Sequence, residues 1–431
     1  MPNNWHRKLL DRLLLLGCYY AIFIGTLSSV VDYERQRIYS KQWFTLCAYI
    51  SNIVILASLP MLAMFLTSWD SSFQDNMIIL HTDRWMVMTR ILLMVFIIVF
   101  RRKRERVFLQ LTRWIFKLDK RFVRSWLPTT AATNRQLDCI HLIKLGTMIM
   151  QSVFVFVASL YFAQELNYQK VAQMVYVTTA LSVIHSTFFQ YFTVLMKLLF
   201  RFKNLNLQLE SHYYSLRRRE TLCLLRLRDG INPVLQLSLF TISDLQSLAQ
   251  EHYHITALTR YLSVYLKFMT LGVVLWNLFQ NILYGIYIFF ALDGKEHQES
   301  RNWLAVVGLT VLYAMLYVDL YLFYWSCEAI TSAYRRTTQL LQLFNTLKLS
   351  KALSQQLETF ALQLTTKPLF IGASGLYTLN HASFLALFVY IQRTILILLQ
   401  FEFERRLKLL RQDLAVEWTA DIEDFIVEYE L

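Results

Sequence analysis

LETFALQLTTKPLFIGASGLYTLNHASFLALFVYIQRTILILLQF, residues 357–401, is the stretch that decides the fold class. It holds an apolar run of about 30 residues closed by Gln400, Phe401 and a charged tail, and about 20 apolar residues suffice for a helix to cross a bilayer. The amide that closes the run needs a reason. At the end of a spanning helix it is costly against lipid tails and is better placed towards water, a partner helix or an ion path.

The rest of the chain is of the same kind. Of 431 residues, 56% are hydrophobic and 17% charged, with mean hydropathy +0.37, a balance outside the range of soluble domains of this length. The chain reads as an all-α polytopic membrane protein, since helices of this length satisfy every backbone group inside lipid. A net charge of +13 in such a chain is a matter of which loops hold the Lys and Arg rather than of nucleic acid. Five cysteines, Cys18, Cys47, Cys139, Cys223 and Cys327, have no paired spacing that suggests zinc or a disulfide framework and read as free thiols. No internal repeat or low-complexity tract is visible.

Seven spans follow from the apolar runs at 43–66, 77–100, 143–163, 171–200, 262–291, 303–326 and 370–400. Before them, residues 13–31 are apolar and about 19 residues long, borderline for a span. They are too long for a signal-peptide core and show no small-residue cleavage site. The loops between spans give the orientation. Residues 101–141 carry eleven Lys or Arg, 201–261 eight and 327–368 five, against none at 67–76, one at 164–170 and two at 292–302. This asymmetry puts the three long loops in the cytoplasm. The N-terminus is then inside and residues 402–431 outside, although Arg405, Arg406, Lys408 and Arg411 pull towards the cytoplasm. A spanning 13–31 would strand Arg7, Lys8 and Arg12 outside, which favours a re-entrant helix there.

Each long inner loop has helical periodicity. The sets are Val107, Phe108, Leu111, Trp114, Ile115, Leu118 and Phe122; Val234 to Leu262 behind a Pro233 helix start; and Leu340, Phe344, Leu347, Leu353, Leu357, Phe360 and Leu364. One reading lays these helices on the inner leaflet. The other, favoured by three such helices in three loops, packs them below the membrane as a shared bundle.

The chain resembles the insect gustatory receptors of the seven-transmembrane chemoreceptor superfamily. The features that carry the resemblance are the apolar segment before the first span, the interior N-terminus, the helical inner loops and the closing block FALQL…PLF…ASGLYTLN…QRTILILLQF. The family's signature is Thr-Tyr, five mostly apolar residues, then Gln-Phe. Here Gln400 and Phe401 follow the apolar Ile395 to Leu399, while Arg393 and Thr394 stand in the Thr-Tyr positions. GLYTLN, Gly375 to Asn380, resembles the family's Gly-Leu-Phe-x-Leu-Asn element.

What the resemblance implies is a ligand-gated, non-selective cation channel, assembled as a homotetramer or as a heteromer with other gustatory receptor subunits in the plasma membrane of sensory neurons. No cofactor is implied. Its parts would be an N-terminal segment at 1–42, six spans with the ligand region at 43–326, cytoplasmic anchor helices at 327–368, a pore-lining last helix at 369–401 and a tail at 402–431. Pore residues would be Arg393, Leu396, Leu399, Gln400 and Phe401. An amide can accept from a cation's side and donate to a neighbour without trapping ions by fixed charge. Arg393 lies nearly two turns before Gln400, hence on the same face, and should turn to a neighbouring helix or a lateral water-filled opening.

Relatives also imply a small-molecule pocket in the outer halves of spans three to six. Here those halves carry Phe156, Tyr161, Tyr176, Trp276, Asn277, Gln280, Tyr284, Tyr287, Trp303 and Tyr313. Aromatic rings with a few amides suit an apolar tastant that must be oriented. Tyr and Trp at span ends also form interfacial belts, which leaves Asn277 and Gln280, one turn apart, as the better candidates. With nothing specific to the sugar or carbon dioxide branches, the ligand expected is bitter-type or orphan.

Other polar residues lie within spans. Arg90 and Asp319 could pair, His185 reads as a core histidine, and Lys144, Lys197 and Lys267 should snorkel. Enzyme and metal readings lack support, since no phosphate loop, HExxH, GxSxG or CxxC occurs. RRKRER at 101–106 reads as an orientation signal and a place for anionic lipid. A G-protein-coupled receptor would need the opposite orientation, and a transporter two related halves.

Overall fold

A computed structural model describes residues 5–67, 77–122, 130–162, 168–228, 242–293, 303–344, 349–373 and 377–429. In order these form α1 (Trp5–Phe23), β1 (Ser29–Asp32), β2 (Arg37–Ser40), α2 (Gln42–Thr67), α3 (Met77–Val99), α4 (Arg101–Phe122), α5 (Thr130–Phe162), α6 (Tyr168–Arg228), α7 (Ile242–Asp293), α8 (Trp303–Gln342), α9 (Lys351–Thr366), β3 (Gly372–Ala373), β4 (Tyr377–Thr378) and α10 (His381–Tyr429). Six of them, α2, α5, α6, α7, α8 and α10, hold a stretch long and apolar enough to cross a membrane among the described residues. Helix α3 occupies the second expected span, and its 23 residues reach across a hydrocarbon core.

The first expected helix is displaced. Rather than 13–31, α1 covers Trp5–Phe23 and the chain then doubles back as the antiparallel β1–β2 hairpin, Ser29 opposite Ser40 and Asp32 opposite Arg37. Gly25 makes the reversal, with φ +79 and a back so close to α2 that a Cβ would meet Asn52 Oδ1 at 2.3 Å and the Ala48 carbonyl at 3.0 Å. Glu105 of α4 pins the returning chain by accepting from Ser28 N at 2.6 Å and Ser28 Oγ at 2.8 Å, while Arg104 donates to the Thr26 carbonyl at 2.7 Å. The RRKRER run is thus partly buried rather than a free basic patch: Arg101 and Arg104 are 3% and 4% exposed. Burial lowers the pKa of Arg104 from its ordinary value.

Helices α6, α7 and α8 outrun any bilayer. At about 1.5 Å per residue, the 61 residues of α6 extend roughly 90 Å, and α7 and α8 likewise continue past their apolar stretches. The extensions of these three pack with α4 and α9 into one basal bundle. His252 sits there among Phe202, Tyr334 and Phe360, with ring centroids 5.1 to 5.5 Å away. Asn206 donates to the Ala333 carbonyl at 2.7 Å and accepts from Thr337 Oγ1 at 2.6 Å. Helix α9 starts where Ser350 accepts from Leu353 N at 3.4 Å. Its buried face, Leu353, Leu357, Phe360 and Leu364, is the later part of the expected periodic set, whose Leu340 lies on α8. Pro233 and Leu347 lie outside the described residues.

The last helix differs from expectation at both ends. It starts at His381, because Gly372–Ala373 pairs with Tyr377–Thr378 as β3–β4 and Asn380 caps the helix, accepting from Ser383 N at 2.8 Å. Gly372 is needed for that tight pairing, since a Cβ would sit 2.9 Å from the Tyr377 carbonyl. Nor does it stop at Gln400. No Pro or Gly follows before Tyr429, and Glu402 takes Arg405 and Arg406 one turn on, at 2.9 and 3.1 Å.

Candidate functional site

The interior between α3, α5, α6, α7 and α8 is polar where a membrane bundle would otherwise be apolar. Arg90, Lys144, Gln151, His185, Trp276, Asn277, Gln280, Asn281 and Asp319 are all 7% exposed or less. Lys144 of α5 makes a salt bridge with Asp319 of α8 and donates to its backbone carbonyl at 3.2 Å. Thr147 Oγ1 donates to the same carboxylate at 3.2 Å. Two expectations are corrected here: Asp319 pairs with Lys144 and not with Arg90, and Lys144 is buried rather than snorkelling, because its partner lies across the helix interface at its own depth. Lys197 and Lys267 instead lie over the rings of Tyr33 and Phe268, at 5.2 and 4.9 Å.

On α7 one polar stripe faces this interior. Asn277 donates to the Val273 carbonyl at 2.9 Å and Asn281 to the Asn277 carbonyl at 2.7 Å, so these two amides spend donors on their own helix. Trp276 packs on His185 of α6 with centroids 5.6 Å apart. Trp276 Nε1, Gln280 Oε1 and Asn281 Oδ1 have no partner among the described residues. His185 is buried as expected, but its Nδ1 also goes unbonded.

Helix α10 meets the bundle along one face only. Ile391, Ile395 and Leu399 are buried against α3 and α7 residues such as Met86, Ile282 and Ile286. The crossing is close at Gly285, where a Cβ would come within 2.4 Å of Ile395 Cδ1. Gln392 adds the polar link, donating to Tyr313 Oη at 2.9 Å and Tyr317 Oη at 3.1 Å, while those hydroxyls lie 3.1 Å apart. The opposite face, with Leu385, Val389, Arg393, Leu396, Gln400 and Phe401, is open in the single chain.

The residues singled out in the sequence thus divide. Arg393, Leu396, Gln400 and Phe401 share the open face, whereas Leu399 belongs to the packed one; its 8% exposure follows from the four-residue repeat with Ile391 and Ile395. Arg393 is exposed and, among the described residues, turns to no other helix of its own chain. Trp276, Asn277, Gln280 and Tyr176 are buried in the interior, and Tyr284 is half-buried beside Tyr287. Phe156 is 41% exposed, on the outside of α5. Tyr313 faces Gln392 rather than the α7 stripe. The side chains of Tyr161 and Trp303 lie outside the described residues. Gln392 and Tyr317 are missed in the sequence, although an amide inside an apolar run is the same signal that singles out Gln400. A separate apolar cavity of about 20 Å³ between α6, α7, α8 and β3, lined by Leu195, Leu262, Phe323, Cys327 and Ile371, has room for one water at most.

The Gln392 link is testable on its own. Gln392→Leu removes two hydrogen bonds worth about 1 kcal/mol each but leaves the tyrosine pair bonded to itself. Thermal unfolding of the purified chain is expected to show a loss of about 1–2 kcal/mol, and Tyr317→Phe a smaller one.

A family model described as 7tm Chemosensory receptor matches residues 14–405. No curated protein matches the chain. Among solved structures, the insect olfactory receptor OR5 from Machilis hrabei in complex with eugenol superimposes with TM-score 0.63 at 10% identity, covering 92% of this chain and 98% of that one. The same receptor described without eugenol gives 0.62 at 10% identity, with the same coverage. At that identity the likeness is one of fold.

Proposed function

We propose, since the chain belongs to the 7tm chemosensory receptor family, that it is a gustatory receptor working as a ligand-gated, non-selective cation channel. Its N-terminus and basal bundle lie in the cytoplasm of a sensory neuron, as the loop charges require, and its ligand is a small tastant of bitter type. Four copies, or a mixture with other receptor subunits, surround a pore lined by α10. The observation that carries this reading is the two-faced last helix. One face is locked to α7 and α8 through Ile395 and Gln392, and the other leaves Leu396, Gln400 and Phe401 without cover from their own chain. A helix that is half-packed in the monomer has its other half available to symmetry mates and a lumen.

The proposed ligand region is the interior of the same bundle, around Trp276, Asn277, Gln280 and Tyr176. The eugenol complex of the Machilis hrabei receptor supports a small-molecule pocket in a fold of this kind. Helix α7 joins the two regions directly: Trp276 and Gln280 stand on it within three turns before Ile282, Gly285 and Ile286, which hold α10. A ligand that moves α7 therefore moves the pore helix.

Arg393 and Gln400 are seven residues apart, so they point within about 20° of one another. If Gln400 faces a cation path, Arg393 raises a positive barrier along it, and four copies make it large. The test is ligand-evoked current from the purified chain in bilayers. Gln400→Ala is expected to change the permeability ratios among cations, and Arg393→Gln to raise cation conductance. An anion-selective pore, or one indifferent to both substitutions, overturns the assignment.

A further inference from the structure

Arg90 is the feature of the bundle that the reading above leaves without a task. Its side chain is 4% exposed and, among the described residues, its hydrogen-bond partner is a thioether, Met86 Sδ, at 3.6 Å from Nη2. Nε has no partner among the described residues. The anion of this interior, Asp319, is held by Lys144 and Thr147. A guanidinium cannot shed its proton to escape burial, and a buried charge with no counter-ion is a standing cost.

Its surroundings are the same in kind. Helix α3 lies along α7 with Leu93 against Gly272 and Met86 and Val87 against Ile282 and Ile286, which brings Arg90 level with Trp276 and Gln280. It also lies within electrostatic range of both Tyr176 and His185 on α6, which are about 13 Å apart along that helix. The Tyr176 hydroxyl and Trp276 Nε1 are, like Arg90 Nε, buried and unbonded among the described residues. All three are donors: a planar fork, a phenol and an indole N–H.

We propose that Arg90, with Tyr176 and Trp276 beside it, receives the carboxylate of a small acidic ligand whose apolar part lies among the aromatic side chains of α6 and α7. The proposal deepens the ligand-pocket reading and rests on it. A carboxylate fits because its two oxygens accept from a guanidinium in parallel and still have lone pairs for the phenol and indole. A neutral alcohol or ester leaves the charge unmatched.

The test uses the full chain in detergent with acetate, octanoate and benzoate, each against the matching alcohol, and reads two signals: the shift in thermal unfolding on binding and the current evoked in expressing cells. At least one carboxylate is expected to raise the unfolding temperature where its alcohol does not. Arg90→Gln should weaken that carboxylate about tenfold or more, and Arg90→Lys less, because a lysine keeps the charge and loses the fork. Tyr176→Phe, which removes one hydroxyl and keeps the ring, is expected to weaken it severalfold and guards against misfolding of the arginine variants. Acids that stabilise no better than their alcohols, or that act equally on the wild type and on folded Arg90→Gln, overturn the proposal. A carboxylate shift lost in Arg90→Gln but accompanied by no current upholds the site and overturns the channel.

Discussion

Lys144→Ala is expected to cost the protein about 3–5 kcal/mol of stability, enough to leave little folded chain in detergent. The side chains of Lys144 and Asp319 are 2% and 9% exposed, so the substitution leaves a carboxylate inside a membrane bundle with only Thr147 to bond it. Asp319→Ala strands the ammonium and should cost as much. The pair as a whole is worth far less than either half, because the desolvation of two charges consumes most of their attraction. Lys144→Met combined with Asp319→Leu is therefore expected to recover most of the loss, and a double-mutant cycle in thermal unfolding reads the coupling. Single variants as stable as wild type would mean that water reaches the pair.

Which parts of this architecture are legible in the sequence follows from what each signal depends on. Apolar run length depends only on the bilayer, so the seven helices stand where hydropathy puts them, and the periodic loops are mostly helical where they are described because a 3.6-residue stripe has few other uses. The ends are less legible. The last helix begins at His381 and not at 370, since a two-residue strand pair and an Asn cap are encoded by Gly372 and Asn380 within an otherwise apolar run. Helix α1 stops at Phe23 for the sake of one glycine whose need shows only beside Asn52. Buried partners are least legible of all. Arg90 and Asp319 are each conspicuous in an apolar span, but their pairing depends on which helix faces which, and there Lys144 takes the place that sequence reading assigns to Arg90. The face of α10 was half legible. The seven-residue spacing of Arg393 and Gln400 shows in the sequence, whereas the choice between Leu396 and Leu399 for the open side needed the packing against α7.

Glu251 gives the second large effect, and its sign is set by burial. Glu251 is 2% exposed at the start of α7, with Arg201 of α6 at 3.6 Å and one carboxylate oxygen unbonded among the described residues. Arg201 also makes a salt bridge with Asp119 of α4, to which Gln36 donates at 3.4 Å, so it is shared rather than committed. Burial pushes the Glu251 carboxyl up to about 7 from an ordinary 4.5, in spite of the attraction of Arg201. The folded state then holds a proton that the unfolded state releases between roughly pH 4.5 and 7. The contribution is complete below 4.5 and is lost as pH rises through 7, at about 1.4 kcal/mol per unit. Next to it His252, buried among three rings and repelled by Arg260, is held down to about 3 from 6.5, which contributes stability above 6.5 that is lost on acidification towards 3. From pH 4.5 to 6.5 the two slopes oppose each other. Glu251→Gln keeps the neutral shape and removes the rising-pH loss. The variant is expected to match wild type near pH 4, to gain on it steadily above 4.5, and to exceed it by roughly 3 kcal/mol at pH 8. Thermal unfolding across that range reads the difference directly, since every other titrating group is common to both proteins. A difference that shrinks with rising pH would place a charged, well-paired carboxylate at Glu251 and reverse the assignment.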